Sequence, residues 1–173
     1  VTITVRPADP ADAPALAEAL ARNRAHMRPW EPRRTEDYYT AGTQAARIRA
    51  PGSRLWLAVD EPAARVVAGA ALSGIALGPF RSASLGYWVD AEYTGRGLAT
   101  RLVGVVCRAA REELGLHRVE AGTVLTNTAS QRVLAKSGFE RIGTAPRYLH
   151  IDGEWRDHHL FQRILHDDPP PVG

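Results

Sequence analysis

Ser84-Leu85-Gly86-Tyr87-Trp88-Val89-Asp90, then Ala91-Glu92-Tyr93, then Thr94-Gly95-Arg96-Gly97-Leu98-Ala99-Thr100, is the stretch on which the reading of this chain turns. Leu85, Tyr87 and Val89 alternate with Trp88, which predicts a strand over 84–90 with its two faces differently occupied. Thr94-Gly95-Arg96-Gly97 interrupts it, and a helix follows. At about 100° per residue Leu98, Leu102, Val105, Val106 and Ala109 fall on one side, and Arg101, Gly104, Arg108 and Arg111 on the other. Gly115 stops it. Glycines at 95 and 97 let the backbone turn sharply and leave its amides uncovered by side chains. A helix start adds unpaired N–H groups and about half a positive charge, so this loop predicts an anion site of diphosphate size. Two familiar phosphate loops do not fit. The dinucleotide fingerprint needs a glycine where Thr100 stands, and a P-loop needs Gly-Lys-Ser/Thr, whereas the single lysine is Lys136.

Working outward, Thr2–Val5 reads as a short strand and Asp12–Asn23 as a helix with Ala13, Leu16, Ala17 and Leu20 on one face. Pro29 and Pro32 keep His26–Pro32 from continuing it. Thr35, followed by Glu36 and Asp37, predicts an N-cap opening a second helix toward Arg49. Leu55–Val59 and Val66–Leu77 read as an antiparallel pair joined at Asp60–Ala63, and Val119–Leu125 as a further strand. Asn127 or Thr126 caps a helix over Thr128–Lys136, and Gly138 ends it. Phe139–Ile151, Asp152-Gly153 and Trp155–Ile164 form a hairpin, Asp-Gly being a strong turn signal. The order β α α β β β α β α β β places one domain over 1–167, with a disordered tail expected over 168–173 around Pro169-Pro170-Pro171.

Composition narrows the function classes. The chain has 173 residues, a formal charge of +3 and 22 basic residues, of which Arg33-Arg34 is the only adjacent pair. That dispersion argues against a nucleic-acid stripe and for a modest attraction to an anionic ligand. No run approaches about 18 apolar residues, so no membrane partner is expected, and Arg6, Asp9 and Asp12 interrupt any secretory leader. Cys107, the single cysteine, excludes an internal disulfide, reads as a core residue, and suits the cytoplasm. His158-His159 looks like a metal pair, but adjacent strand residues face opposite ways, so no metal is expected.

Thr94-Gly95-Arg96-Gly97-Leu98-Ala99 resembles the acyl-CoA signature of the GCN5-related N-acetyltransferases (GNAT), Gln/Arg-x-x-Gly-x-Gly/Ala, with Thr94 at the first position. His117-Arg118-Val119-Glu120-Ala121, Asn127-Thr128-Ala129-Ser130 and Ser137-Gly138-Phe139 follow in register. Pro29-Trp30-Glu31-Pro32 and Tyr148–His158 are similar to the ribosomal-protein-alanine (RimJ/RimL-type) branch. The resemblance spans residues 3 to 165. It implies an α/β (α+β) fold with a mixed central sheet of six to seven strands, splayed between the fourth and fifth, and helices on both faces.

It also implies an acetyl-CoA-dependent N-acetyltransferase working by direct transfer in a ternary complex. Acetyl-CoA would be the co-substrate and a protein N-terminal amine the acceptor. Backbone groups around Trp88, Val89 and Asp90 would hold the pantetheine arm. Amides of Gly95, Arg96, Gly97, Leu98, Ala99 and Thr100 would hold the diphosphate. Asn127 would contact the pantetheine, and Ser130 would protonate the leaving thiolate. The branch makes a homodimer an open expectation. Strand alternation nominates Glu120 as the base, on the same face as Gly122 and Val124, although it equally reads as an ion-pair partner of Arg118 or Arg141. Trp30 and Tyr87 are acceptor-pocket candidates that also read as packing residues, and Ser130 also reads as an ordinary first-turn serine. A small-molecule amine acceptor and a non-catalytic acyl-CoA-binding module are the alternatives.

Overall fold

A computed structural model describes residues 2–172; Val1 and Gly173, the outer ends of the expected domain and tail, lie outside the described residues. Strands β1 (Ile3–Pro7), β2 (Arg54–Asp60), β3 (Arg65–Ala76), β4 (Ser82–Val89), β5 (Arg118–Val124), β6 (Glu140–Ile151) and β7 (Glu154–Ile164) form one sheet in the order β1-β2-β3-β4-β5-β7-β6. Every neighbouring pair is antiparallel except β4 and β5. That parallel pair is joined only at Ser82–Arg118, Ala83–Val119 and Ser84–Glu120, and the strands then part. The splay between the fourth and fifth strands is therefore present.

Alternation along the strands sends side chains to two cores. Trp56, Ala58, Val67, Ala70 and Leu85 meet helix α4 (Leu98–Glu112) and helix α5 (Thr128–Lys136). Leu57, Val59 and Val66 meet α1 (Ala13–Arg22), α2 (Arg24–Met27) and α3 (Ala41–Arg49) on the opposite face. Helix α4 buries Leu98, Leu102, Val103, Val106, Cys107, Ala109 and Ala110, a wider arc than five residues on one face, because it packs on the sheet and on α5 together. Each fully buried Leu or Val in that arc stabilises the fold by about 1.5–3 kcal/mol. Cys107 is enclosed here, and burial pushes its thiol up, away from the reactive thiolate.

One helix start differs from the sequence expectation. Thr35 stands at the start of a 3-10 turn only, and its hydroxyl bonds the Asp37 side chain and caps no amide. A 3-10 turn over Glu36–Tyr39 ends at Thr40, whose extended backbone (φ −98°, ψ 149°) and hydroxyl, accepting from the Thr43 amide, begin α3. The buried Gln44 side chain then donates to the Tyr38 carbonyl, fixing the break. Across 26–32, α2 runs to Met27 and passes into a 3-10 turn, Arg28–Trp30, so helical backbone persists past His26 until Glu31 goes extended (φ −123°, ψ 156°). Pro32 enforces that geometry on the residue before it.

The β6–β7 hairpin turns at Asp152 (φ 45°) and Gly153 (φ 87°), the doubly left-handed turn that Asp-Gly favours. Its tip lies against the Pro29–Arg34 loop: the Asp152 amide donates to the Glu31 carbonyl at 3.0 Å, and Arg28 reaches the Asp152 carboxylate at 3.1 Å. The Arg33 guanidinium lies over Gly153, 2.6 Å from where a Cβ would stand, and the positive φ there favours glycine.

Candidate active site

The loop after β4 is built to leave its nitrogens free. Asp90 caps the 3-10 turn Ala91–Tyr93, its carboxylate accepting from the Glu92 amide at 3.0 Å. Gly95 (φ 72°) and Gly97 (φ 74°) then take left-handed backbone, and Gly97 is the N-cap of α4 with no side chain closing it. The first bond of that helix is Arg101 N–H to the Gly97 carbonyl. Among the described residues, no amide from Gly95 to Thr100 donates to a protein acceptor. Arg96 lies over the Tyr93 ring at 5.2 Å, while the Tyr93 hydroxyl donates to Asp60 at 2.6 Å, so this positive rim rests on a fixed aromatic.

Beside the loop, the parted strands expose a backbone edge. The Asp90 amide donates to Val67 of β3 at 2.8 Å. By antiparallel alternation the backbone groups of Trp88 also face β3, whereas those of Leu85, Tyr87 and Val89 face the gap. A cavity of about 660 Å³ runs through this gap, from Gly95, Gly97–Thr100, Asn127, Ala129 and Ser130 on the α4/α5 side to Trp30, Glu31, Arg34 and Tyr38 on the α1/α3 side. In its middle the Tyr87 hydroxyl and Ser130 Oγ are 2.6 Å apart. Burial pushes the Tyr87 phenol up to about 12, although the Ser130 hydrogen bond pulls the other way, so Tyr87 keeps its proton at neutral pH.

Comparison with known proteins matches residues 2–140 to the acetyltransferase (GNAT) domain. The chain belongs to the GNAT acetyltransferase family. It is similar to the [ribosomal protein uS5]-alanine N-acetyltransferase of Escherichia coli K12, with 34% identity over 91% of this chain and 85% of that one. Among solved structures it resembles the ribosomal-protein-S5-alanine acetyltransferase of Vibrio fischeri, at 32% identity and TM-score 0.90, covering 98% of this chain and 96% of that one. It also resembles Mycobacterium smegmatis RimJ in complex with CoA-disulfide, at 29% identity and TM-score 0.85, covering 94% of this chain and 81% of that one.

The acetyltransferase uses acetyl-CoA, which supplies its acetyl group as a reactive thioester, and the residues present fit it. The unpaired amides of 95–100, two glycines with no atom within 4 Å of a Cβ position, and the open β4 edge make a cradle for a diphosphate and an extended arm. Asn127 caps α5 through Oδ1, accepting from the Ser130 amide at 3.2 Å, and lines the cavity. Among the described residues no group of three His, Cys, Asp or Glu is arranged to hold a metal.

Three sequence-based assignments need correction. Of Trp88, Val89 and Asp90, only Val89 turns its backbone to the gap, because strand alternation commits the other two to β3. Tyr87, two residues earlier, shares that edge. Asp90 is instead a brace: its carboxylate, 2% exposed, accepts from Arg22 at 2.8 Å and Asn23 at 3.0 Å, tying the end of α1 to the loop. Glu120 is not at the cavity. It sits at the closed end of the fork, paired with Arg118 at 3.1 Å and accepting from Ser84 at 3.2 Å, where the strands still touch.

Trp30 and Tyr87 do line the cavity. Sequence reasoning pointed to the loop Arg24–Arg34 but did not single out His26, Glu31 or Arg34 within it, and it missed Tyr38 and Arg47, all of which line the cavity. For Glu31 a signal existed: an acid held between prolines beside a tryptophan has few ways to reach solvent.

Proposed function

We propose that this acetyltransferase modifies the α-amine of a polypeptide N-terminus. Relatives named for the alanine terminus of a ribosomal protein support that reading. So does the cavity's acceptor mouth, the observation that carries it. Trp30, at 39% exposure, lines it from the Pro29–Arg34 loop, against which the tip of the β6–β7 hairpin packs. An indole left open at the mouth of a through-sheet cavity suits a chain that enters by its end and rests its following residues on the rim.

The groups of the chain divide the work. The backbone of Val89 and Tyr87 holds the donor's arm, the 95–100 amides hold its diphosphate, and Asn127 fixes α5 beside it. The Val89 amide is placed to stabilise negative charge on the carbonyl oxygen. Ser130, hydrogen-bonded to Tyr87, is placed to give a proton to the departing sulfur, with Tyr87 orienting its hydroxyl. Transfer is direct, with no covalent enzyme intermediate, and the cytoplasm, where acetyl-CoA and a reduced Cys107 coexist, is its setting. Among the described residues no helix is long and apolar enough to cross a membrane.

The test is competition: a library of N-terminal peptides with varied first residues against a panel of free amines, read as thiol release from acetyl-CoA. The reading expects peptides with small first residues to exceed the best free amine at least tenfold in kcat/KM. Equal or better turnover of polyamines or aminoglycosides would replace it with a small-molecule acceptor.

A further inference from the structure

We propose that Glu31 is the catalytic base, its carboxylate taking the proton that makes the acceptor amine a nucleophile. The proposal rests on the acetyl transfer of the family and not on which amine is accepted. Among the described residues lining the cavity, Glu31 is the only acid. Among the described residues its carboxylate has no hydrogen-bond or ion-pair partner, in contrast to Asp90 and Glu120.

Its placement is rigid. Pro32 holds Glu31 extended, Pro29 fixes the turn before it, and the Asp152 amide grips its carbonyl. Leu16, Leu20, Met27, Leu55 and Trp88 make the surrounding wall apolar. Arg34 from its own loop and Tyr38 and Arg47 from the α3 side face it, and His26 from α2 and Tyr87 from β4 line the same cavity. Asp152, on the hairpin tip, is turned to Arg28 and Arg33. Burial pushes the Glu31 carboxyl up, more than Arg34 and Arg47 pull it down. A raised carboxyl lies nearer an α-amine, with its ordinary value of about 7.7–8.0, and accepts its proton with less penalty.

The step balances. The ammonium gives one proton to Glu31, and its freed lone pair bonds the acetyl carbon as the carbon–sulfur bond breaks. The second proton leaves nitrogen while the thiolate takes one up, giving amide and CoA thiol, and Glu31 returns its proton to solvent.

The experiment measures kcat and KM from pH 5 to 9 for wild type, Glu31→Gln, Glu31→Asp and His26→Asn. Two small acceptors are used: alaninamide, protonated near neutrality, and trifluoroethylamine, already neutral. Neither depends on the acceptor being a polypeptide, so failure of the peptide preference leaves this test intact. Glu31→Gln is expected to lower kcat on alaninamide about 100-fold or more. It should leave the KM for acetyl-CoA within twofold and abolish the acid limb of the pH profile.

On trifluoroethylamine the loss should be under tenfold, and Glu31→Asp should recover part of the activity with the acid limb present. Glu31→Gln should unfold at the same temperature as wild type or higher, since it removes a charge from an apolar wall. Retention of activity within threefold, persistence of the acid limb in Glu31→Gln, its loss in His26→Asn, or equal losses on both amines would each overturn the proposal.

Discussion

Asp90 and Glu31 stand on opposite flanks of one cleft and are treated in opposite ways. Burial pushes the Asp90 carboxyl up, but the hydrogen bonds from Asn23, Arg22 and the Glu92 amide outweigh it, and the group is held below the usual carboxylate range. Glu31 has the burial without the bonds and is pushed up. The difference separates architecture from chemistry. A satisfied carboxylate fixes where the cradle sits, and an unsatisfied one stays available for a proton.

The largest effect should come from breaking the satisfied side. Asp90→Ala strands Asn23 and the Arg22 guanidinium and is expected to lower stability by about 2–4 kcal/mol, measured by urea unfolding at pH 7. Because the native carboxyl is depressed, its contribution is present above the unfolded value of about 3.9 and is lost as pH falls through the native one. The gap between wild type and Asp90→Ala should therefore narrow in acid. A loss under 1 kcal/mol at pH 7 would mean that Asp90 is no brace.

Gly97→Ala comes next. It forces a Cβ into left-handed backbone at about 1–2 kcal/mol and disturbs the N-terminal amides. Calorimetry should find acetyl-CoA binding weakened at least tenfold, with β-sheet content unchanged.

Tyr87→Phe removes the hydroxyl from Ser130. It should lower kcat about tenfold while leaving the KM for acetyl-CoA within twofold, the cost of one lost orienting bond. An unchanged kcat would reduce Tyr87 to a packing residue. The smallest effect belongs to Glu120→Gln, where an ion pair at the partly exposed closed end of the fork contributes about 1 kcal/mol and kcat should stay within twofold. A large drop in kcat there would restore Glu120 as the base and dissolve the contrast.

Much of the fold could be read from local chemistry. Alternation located β2 to β5, Asp152-Gly153 located the last hairpin, and Asn127 announced its own helix with correct bounds. The opened seam came from resemblance, since nothing in Ser82–Ser84 alone says that pairing with Arg118–Glu120 stops there. Thr35 misled because it and Thr40 are equally good caps by composition. What chose between them was Gln44, reaching back to a carbonyl that only the folded loop presents. Glu120 and Glu31 were interchangeable carboxylates until tertiary contacts gave one an arginine and the other an apolar wall. Facing direction along β4 was likewise set by a partner, Val67, more than twenty residues away.

The close approach of Gly153 to Arg33 has a consequence for how such an enzyme changes its target. The loop carrying Trp30 and Glu31 takes its position from the tip of a hairpin near the end of the chain, while the coenzyme platform takes its own from Asp90 and β3. The two halves of the cleft thus inherit their shapes from separate stretches of sequence. Drift in the tip or its partner loop can retarget the enzyme to a new recipient while its grip on the currency it transfers stays intact.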